Sequence, residues 1–162
     1  MKYAAELINK VTHDITGINI GVHVCRGNWS RKEDVLLSGD YKPLVPAFKE
    51  MQVDQFVLEY ATPRAGEIAV VGEALADREI GLGVCNPRTA EIETPEYIIG
   101  RVREALQYFR PEAIYLNPDC GFGCFAQRCV NDAETAFQKL QNMVNAAKFL
   151  NDNYQNLLGS DG

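Results

Sequence analysis

Two side chains that often bind metal ions, His23 and Cys25, are separated by one residue at the end of an apolar run. The run over residues 18–25 is rich in β-branched side chains, which is typical of a strand. Because alternate side chains of a strand point to the same face, His23 and Cys25 are predicted to point the same way. Imidazole and thiolate are both zinc ligands, so the pair indicates half of a metal site. A pair of this kind is also compatible with a structural role.

Two further candidate ligands follow at the ends of later apolar runs. Glu59 ends the strand predicted over residues 54–60, where a carboxylate needs a partner such as a metal or a basic residue. Cys120 follows the strand predicted over residues 113–117, in the turn sequence NPDCG. That turn is also compatible with an ordinary loop and a buried thiol. Together with the first pair, these residues supply the two thiolates, one imidazole and one carboxylate that suit zinc.

The order of helices and strands predicts that these ligands share one edge of a sheet. Strands are predicted over residues 18–25, 54–60, 79–85 and 113–117. Helices are predicted over residues 2–16, 44–51, 66–76 and 94–109, and a last long helix begins at a capping box formed by Asn131 and Glu134. The alternation predicts an α/β fold with a parallel sheet and right-handed crossovers. An open doubly wound sheet and half of an eight-stranded barrel both have this order, and both gather function at the carboxyl ends of the strands.

Helical spacing predicts which apolar faces pack on the sheet. In the first and last helices, the predicted core faces are Ala4, Leu7, Ile8, Val11 and Ile15, and Phe137, Leu140, Val144 and Ala147. In the two helices between the later strands they are Ile68, Val71 and Leu75, and Ile98, Ile99, Val102, Leu106 and Phe109.

Composition places the chain among globular proteins and excludes some partners. Of its 162 residues, 46% are hydrophobic and 23% are charged, values typical of a soluble domain with a real core. The net charge of −6 argues against binding to nucleic acid, which needs an excess of Lys and Arg. No apolar run approaches the roughly 18 residues that span a membrane. The first residues lack the apolar core of a signal peptide, so a cytoplasmic location is expected.

Five cysteines form an odd set without the regular framework of a disulfide-rich secreted domain. In a cytoplasmic chain, thiols next to His and acidic residues favour metal binding or catalysis. Cys85 and Cys129 are expected to be small buried residues. Cys124 is either a structural residue or a competitor for the metal. His13, on the first helix, is expected to be an ordinary surface residue.

Three motifs taken together resemble the cobalamin-independent methionine synthase family. They are His23-x-Cys25, Glu59 at the end of its strand, and the NPDCG sequence at residues 117–121. The HVCRGN sequence at residues 23–28 is most similar to the short, single-barrel bacterial members. The resemblance implies a (β/α)8 TIM barrel with parallel strands, of which this chain supplies four β-α units, a half barrel. Residues 1–158 would then be a single C-terminal half-barrel domain, and residues 159–162 a disordered tail.

The resemblance also implies a metal and a reaction. His23, Cys25, Glu59 and Cys120 would hold zinc, which binds the thiol of homocysteine. The implied activity is that of a 5-methyltetrahydropteroyltriglutamate–homocysteine S-methyltransferase-like enzyme of methionine biosynthesis, with 5-methyltetrahydrofolate as one possible methyl donor.

Residues next to the implied ligands are candidate substrate contacts. Arg26 and Asn28 follow the His-x-Cys pair and are expected to bind substrate, as is Trp29, although a polar loop is often merely solvated. Asp119, beside Cys120, is expected to bind substrate or to orient a ligand.

Two departures from the family leave alternatives open. Arg88 stands where long-form members carry a histidine that is thought to protonate the departing folate, so a methylated corrinoid is a second possible donor. A complete barrel takes about 250 residues, so half of the pocket is missing from this chain. A homodimer or a separate N-terminal half-barrel partner is therefore expected. The alternative functions are a non-catalytic zinc- or thiol-binding subunit and a zinc-dependent alkyltransferase acting on a coenzyme-type thiol and an epoxide.

Overall fold

The computed structural model of the chain describes residues 2–28, 30–32, 35–123, 127 and 129–153. Five α-helices and four β-strands alternate along it. The helices are α1 (Lys2–Thr12), α2 (Val45–Glu50), α3 (Ala69–Leu75), α4 (Pro95–Ala105) and α5 (Ala133–Asp152), and the strands are β1 (Gly21–Val24), β2 (Gln55–Leu58), β3 (Glu79–Cys85) and β4 (Ile114–Pro118). Short 3-10 helices precede α3 and β4 at Pro63–Ala65 and Pro111–Ala113. The expectations for Trp29, Cys124 and the tail at 159–162 lie outside the described residues.

The four strands form one sheet in the order β1-β2-β3-β4, and every neighbouring pair is parallel. This confirms the parallel α/β arrangement predicted from the sequence. Two rows of aligned side chains cross the sheet on the face that packs against the helices. They are Val22, Phe56, Ile80 and Ile114, and Val24, Leu58, Leu82 and Leu116. The row between them, which runs from His23 to the half-exposed Tyr115, points to the opposite face because successive residues of a strand alternate.

Helices α3 and α4 bury the faces that their spacing predicts. Ile68, Val71 and Leu75 are buried at α3, and Ile98, Val102 and Phe109 are buried within α4 and just after it. Helix α4 begins as the sequence indicates, because the hydroxyl of Thr94 accepts a hydrogen bond from the backbone N–H of Tyr97 at 3.2 Å.

The predicted core faces of the first and last helices are wrong, because much of each lies in solvent. Val11 is 77% exposed and Phe137 is 60% exposed, and Leu7 and Val144 are also exposed. Helix α1 also ends at Thr12, short of residue 16. The side chains that face inward are Ala5 with Ile8, and Ala146 with Met143. Both helices lie at the ends of the four-stranded layer, so each has a neighbouring helix on one side only within the described chain.

The predicted capping box of the last helix is also wrong by one residue. Asp132 is the N-cap of α5, and its carboxylate accepts a hydrogen bond from the backbone N–H of Thr135 at 2.7 Å. Asn131 instead donates from Nδ2 to the carbonyl of Thr89 at 2.5 Å and so binds the loop after β3. A tertiary hydrogen bond therefore uses the side chain that the local pattern assigned to the cap.

No helix in the described part of the chain is long and apolar enough to cross a lipid bilayer.

The packing of α3 yields a stability prediction. Gly72 lies against the ring of Tyr108, and a Cβ there would come within 2.8 Å of Cδ2 and closer still to Cγ. Gly72→Ala is therefore expected to lower the free energy of unfolding by about 1–3 kcal/mol through overpacking. The matched control is Gly100→Ala in α4, where nothing lies within 4 Å of the new methyl group. That change is expected to raise the stability by about 0.5–1 kcal/mol, as alanine normally does in a helix. Urea denaturation of both variants checks the prediction, and equal effects would contradict it.

Candidate metal centre

The structure brings His23, Cys25, Glu59 and Cys120 together at the carboxyl ends of three strands. One potential ligand atom from each lies within 4.8 Å of those of the other three. The Sγ atoms of Cys25 and Cys120 are 3.3 Å apart. The Sγ of Cys120 also lies 3.2 Å from Oε1 of Glu59 and 3.6 Å from Nε2 of His23. Side chains separated by up to 97 positions in the chain therefore form one compact cluster.

The imidazole of His23 is oriented by the neighbouring strand. Its Nδ1 lies 3.0 Å from the carbonyl oxygen of Val57, the residue aligned with it on β2. A carbonyl oxygen only accepts, so this contact requires the hydrogen on Nδ1. The neutral ring then presents the lone pair of Nε2 towards Cys120. This is the second contact that metal-binding histidines usually make, and it fixes both the tautomer and the ring plane.

Glu59 provides the strongest test of whether a cation fits here. Glu59 is only 1% exposed, and its Oε2 has no hydrogen-bond partner among the described residues. The hydroxyl of Tyr41 accepts a hydrogen bond from the backbone N–H of Glu59 at 2.9 Å and so holds this residue in place. A buried carboxylate with an unpartnered oxygen is costly unless a positive charge compensates it. The two thiols and the imidazole beside it are donors that suit zinc, so the residues present fit that ion.

The thiol of Cys120 shows the same requirement. Burial raises its pKa above the ordinary range, and its hydrogen bonds to Cys25 and Glu59, together with the negative charge of Glu59, raise the pKa further. Without a cation, this thiol therefore keeps its proton at neutral pH. A bound metal ion reverses that preference, because it stabilises the thiolate directly.

Asp119 lies beside the cluster but points into the protein. It is 1% exposed, and its Oδ1 accepts a hydrogen bond from the backbone N–H of Ala61 at 2.8 Å. Burial raises the pKa of Asp119 to about 7, the N–H of Ala61 opposes that rise, and the charge of Glu59 adds to it. Its predicted contact with substrate stays a prediction.

Arg26 and Asn28 are buried as well, and their described contacts are with the protein. The guanidinium of Arg26 lies over the ring of Tyr41, 5.0 Å from its centroid, and donates from Nη2 to the carbonyl of Gly39. The Oδ1 of Asn28 accepts from Nε of Arg88 at 2.7 Å. The contacts of Arg26 lie within the loop after β1, whereas the contact of Asn28 binds this loop to the loop after β3. A role in substrate binding stays a prediction for both residues.

Two supporting residues escaped the sequence analysis. Tyr41, which anchors Glu59, lies in a loop with no local pattern to mark it. Lys139 lies on α5 with its side chain fully buried, and its Nζ contacts Oε2 of Glu93 at 2.8 Å. The other oxygen of Glu93 accepts from the backbone N–H of Asn86 at 2.7 Å, so this pair holds the loop that follows β3. A lysine on an amphipathic helix normally predicts a solvent-facing position, and the sequence offers no signal against that expectation.

Comparisons with known proteins give relatives that match most of the chain. The model of the family described as "Cobalamin-independent synthase, Catalytic domain" matches residues 4–149. The chain is 33% identical to a methionine synthase of Pyrococcus horikoshii over 147 residues, which cover 91% of this chain and 38% of that protein. It is also 33% identical to a methionine synthase of Sulfurisphaera tokodaii, over 96% of this chain and 40% of that protein. The chain thus spans about two fifths of the length of these relatives.

A solved structure extends the comparison to the fold. The chain is similar to a B12-independent methionine synthase from a Shewanella species in complex with selenomethionine, with a TM-score of 0.79 and 16% identity. The match covers 94% of this chain and 44% of that one. Such a low identity shows the fold alone, and it confirms the predicted class: four β-α units of a (β/α)8 barrel with parallel strands.

The buried ion pair yields a second stability prediction. Lys139→Ala leaves the carboxylate of Glu93, which is 10% exposed, without its cation. The loss is expected to cost about 3–5 kcal/mol of unfolding free energy. Lys148→Ala, at an exposed position of the same helix, is the matched control and should change stability by less than about 0.5 kcal/mol. Chemical denaturation of the two variants measures the difference. A loss at Lys139 as small as that at Lys148 would show that the pair does not hold the loop.

Proposed function

Because the chain belongs to the cobalamin-independent methionine synthase family, we propose that it is the zinc-binding half of a barrel that methylates homocysteine or a related thiol. The observation that carries the proposal is the cluster of His23, Cys25, Glu59 and Cys120, with its buried and unpartnered carboxylate oxygen. Support for the reaction class comes from the family match over residues 4–149 and from the methionine synthases that the chain resembles.

The four clustered side chains would hold the ion through one nitrogen, two sulfurs and one oxygen. When bound, zinc supplies a Lewis acid that lowers the pKa of a substrate thiol and makes its sulfur nucleophilic near pH 7. His23 contributes a preset Nε2 because its Nδ1 faces the carbonyl of Val57. Two thiolates and one carboxylate give the ligand set more negative charge than the ion neutralises, which keeps electron density on the substrate sulfur. The exposed position of His23 and Cys25 leaves the site open for a thiol to enter.

The methyl donor is either 5-methyltetrahydrofolate or a methylated corrinoid. The distinction involves Arg88, which is buried and donates to Asn28 from its Nε. A guanidinium stays protonated at neutral pH and is a poor proton donor. A folate leaving group would therefore have to take its proton from another group or from water.

A second candidate function is a zinc-binding subunit that is not catalytic by itself. The observation that favours it is length, because the chain matches only 38% of the relative from Pyrococcus horikoshii. In this reading the chain binds the metal, and any turnover needs the missing units.

The open flanks of the sheet support association with four further β-α units. Strands β1 and β4 each pair with a single strand among the described residues. Apolar side chains are exposed on both flanking helices, namely Tyr3, Leu7 and Val11 on α1 and Phe137, Leu140 and Val144 on α5. A groove of about 350 Å³ beside β4 is lined by apolar side chains that include Leu106, Ile114, Leu116, Met143, Val144 and Leu150. Apolar surface of this kind, next to an open strand edge, is typical of an interface. We propose that an N-terminal half barrel of the same family covers it, or a second copy of the chain.

Replacing one proposed ligand tests the metal centre. Cys120→Ser is expected to lower zinc affinity about tenfold or more, because the hydroxyl is a much weaker zinc ligand than the thiolate. Cys129→Ser is the matched control and should bind zinc as the unaltered chain does, because Cys129 lies outside the cluster and is exposed, contrary to the burial expected from the sequence. Competition with a coloured chelator measures both affinities. Unaltered affinity in the Cys120 variant would refute the ligand assignment, and a folded chain without any zinc affinity would refute the proposed function.

The oligomeric mass and the catalytic turnover of the chain test whether it needs four further β-α units. Light scattering is expected to give a mass above the 18.0 kDa of one chain, or to show a one-to-one complex once the first four β-α units of a relative are added. Val144→Glu should weaken the association because it puts a charge into the apolar row of α5, whereas Asn145→Glu adds the same charge at an adjacent exposed position. A strictly monomeric chain in both conditions would contradict the association. Methylation of homocysteine by the chain alone would refute the non-catalytic alternative.

A further inference from the structure

Asp119 connects three neighbouring strands next to the cluster of candidate metal ligands. Its backbone N–H donates to the carbonyl of Cys85 at the end of β3, at 2.9 Å. Its carboxylate reaches in the other direction and accepts from the N–H of Ala61, two residues after Glu59, at 2.8 Å. Cys120 is the next residue in the chain. One side chain therefore lies between the segment that carries Glu59 and the segment that carries Cys120.

The carboxylate can reach Ala61 only because residue 83 is glycine. A Cβ on Gly83 would lie 2.8 Å from the carbonyl oxygen of Leu58 and 2.9 Å from the backbone nitrogen of Tyr60, and closer still to Oδ1 of Asp119. The side chain of Asp119 thus occupies the space above β3 that any other residue at position 83 would fill. Gly83 lies within β3, so the carboxylate of Asp119 packs directly against the backbone of that strand.

We infer that Asp119 is a positioning residue that sets the distance between Glu59 and Cys120, and that Gly83 is the position that admits it. This inference rests on the proposed metal centre and goes beyond it, because Asp119 does not belong to the cluster of candidate ligands. A residue only 1% exposed, with its Oδ1 turned to Ala61, acts on the cluster through the backbone. The effect is specific because Glu59 and Cys120 come from different strands, and their ligand atoms meet at 3.2 Å only when the two segments keep this spacing.

Three variants separate positioning from general stability. Asp119→Ala removes the acceptor, and Asp119→Asn keeps an oxygen that can accept from Ala61. Gly83→Ala places a methyl group against the carboxylate and also against the backbone of Leu58 and Tyr60, so its result is interpreted only together with the Asp119 pair. Cobalt(II) replaces zinc as the probe, because the energies of its ligand-field and sulfur-to-cobalt bands report ligand geometry. Zinc affinity is measured in parallel by chelator competition. Gly72→Ala, which is expected to destabilise the chain through Tyr108 and not through a residue of the cluster, controls for loss of stability.

The expected result is a 10- to 100-fold loss of zinc affinity and a shifted cobalt spectrum for Asp119→Ala and Gly83→Ala. Asp119→Asn should recover most of the zinc affinity and most of the cobalt spectrum of the unaltered chain. Gly72→Ala should keep both properties. If Gly83→Ala does not fold, the Asp119→Ala and Asp119→Asn pair still decides the question. An Asp119→Ala protein that loses stability but keeps the zinc affinity and cobalt spectrum of the unaltered chain overturns the inference alone. An unaltered chain that binds neither metal overturns the proposed function as well.

Discussion

The buried carboxylate of Glu59 is the group on which the arrangement of the candidate centre depends. It lies almost fully out of water, with one oxygen near the thiol of Cys120 and the other without a partner among the described residues. Such a group is stable only with compensation nearby, because the loss of hydration costs several kcal/mol per ion. Among the described residues, Tyr41 binds the backbone of Glu59, and the guanidinium of Arg26 lies over the ring of Tyr41, with its Nη2 donating to backbone carbonyls.

The incomplete barrel explains why similar helices are buried to different degrees. Helices α3 and α4 lie between other elements and bury the apolar faces that their spacing predicts. Helices α1 and α5 carry apolar faces of the same type, yet Val11 and Phe137 lie in solvent. Periodicity shows that a face is apolar, and only the neighbours of the helix determine whether that face is covered. The exposed rows on α1 and α5 and the groove beside β4 lie at the two ends of the sheet, and the chain spans about two fifths of the length of the relatives it matches.

The candidate centre was partly predictable, because some of its features are local. Alternation along β1 puts His23 and Cys25 on one face, and parallel strands bring their carboxyl ends to one edge, so the element order favours a cluster with Glu59 and Cys120. The family resemblance is what implied these four residues as the ligand set. The residues that support it were not predictable. Tyr41 lies in an irregular loop, and Lys139 lies on a helix where its charge favours an outward position. Tyr41 acts on a residue 18 positions away and Lys139 on one 46 positions away, and no local pattern records such a contact.

By itself, the sequence determined the types and order of the elements, the parallel sheet and the four side chains that meet at its edge. These depend on hydrogen bonding and alternation within short segments, which nearby residues specify. The tertiary structure alone decided that Asp132 caps α5 while Asn131 binds another loop, that Arg26 and Asn28 turn inward, and that Asp119 lies over Gly83. Those outcomes depend on which distant backbone groups lie within reach of a side chain. That reach exists only after the strands have been brought side by side.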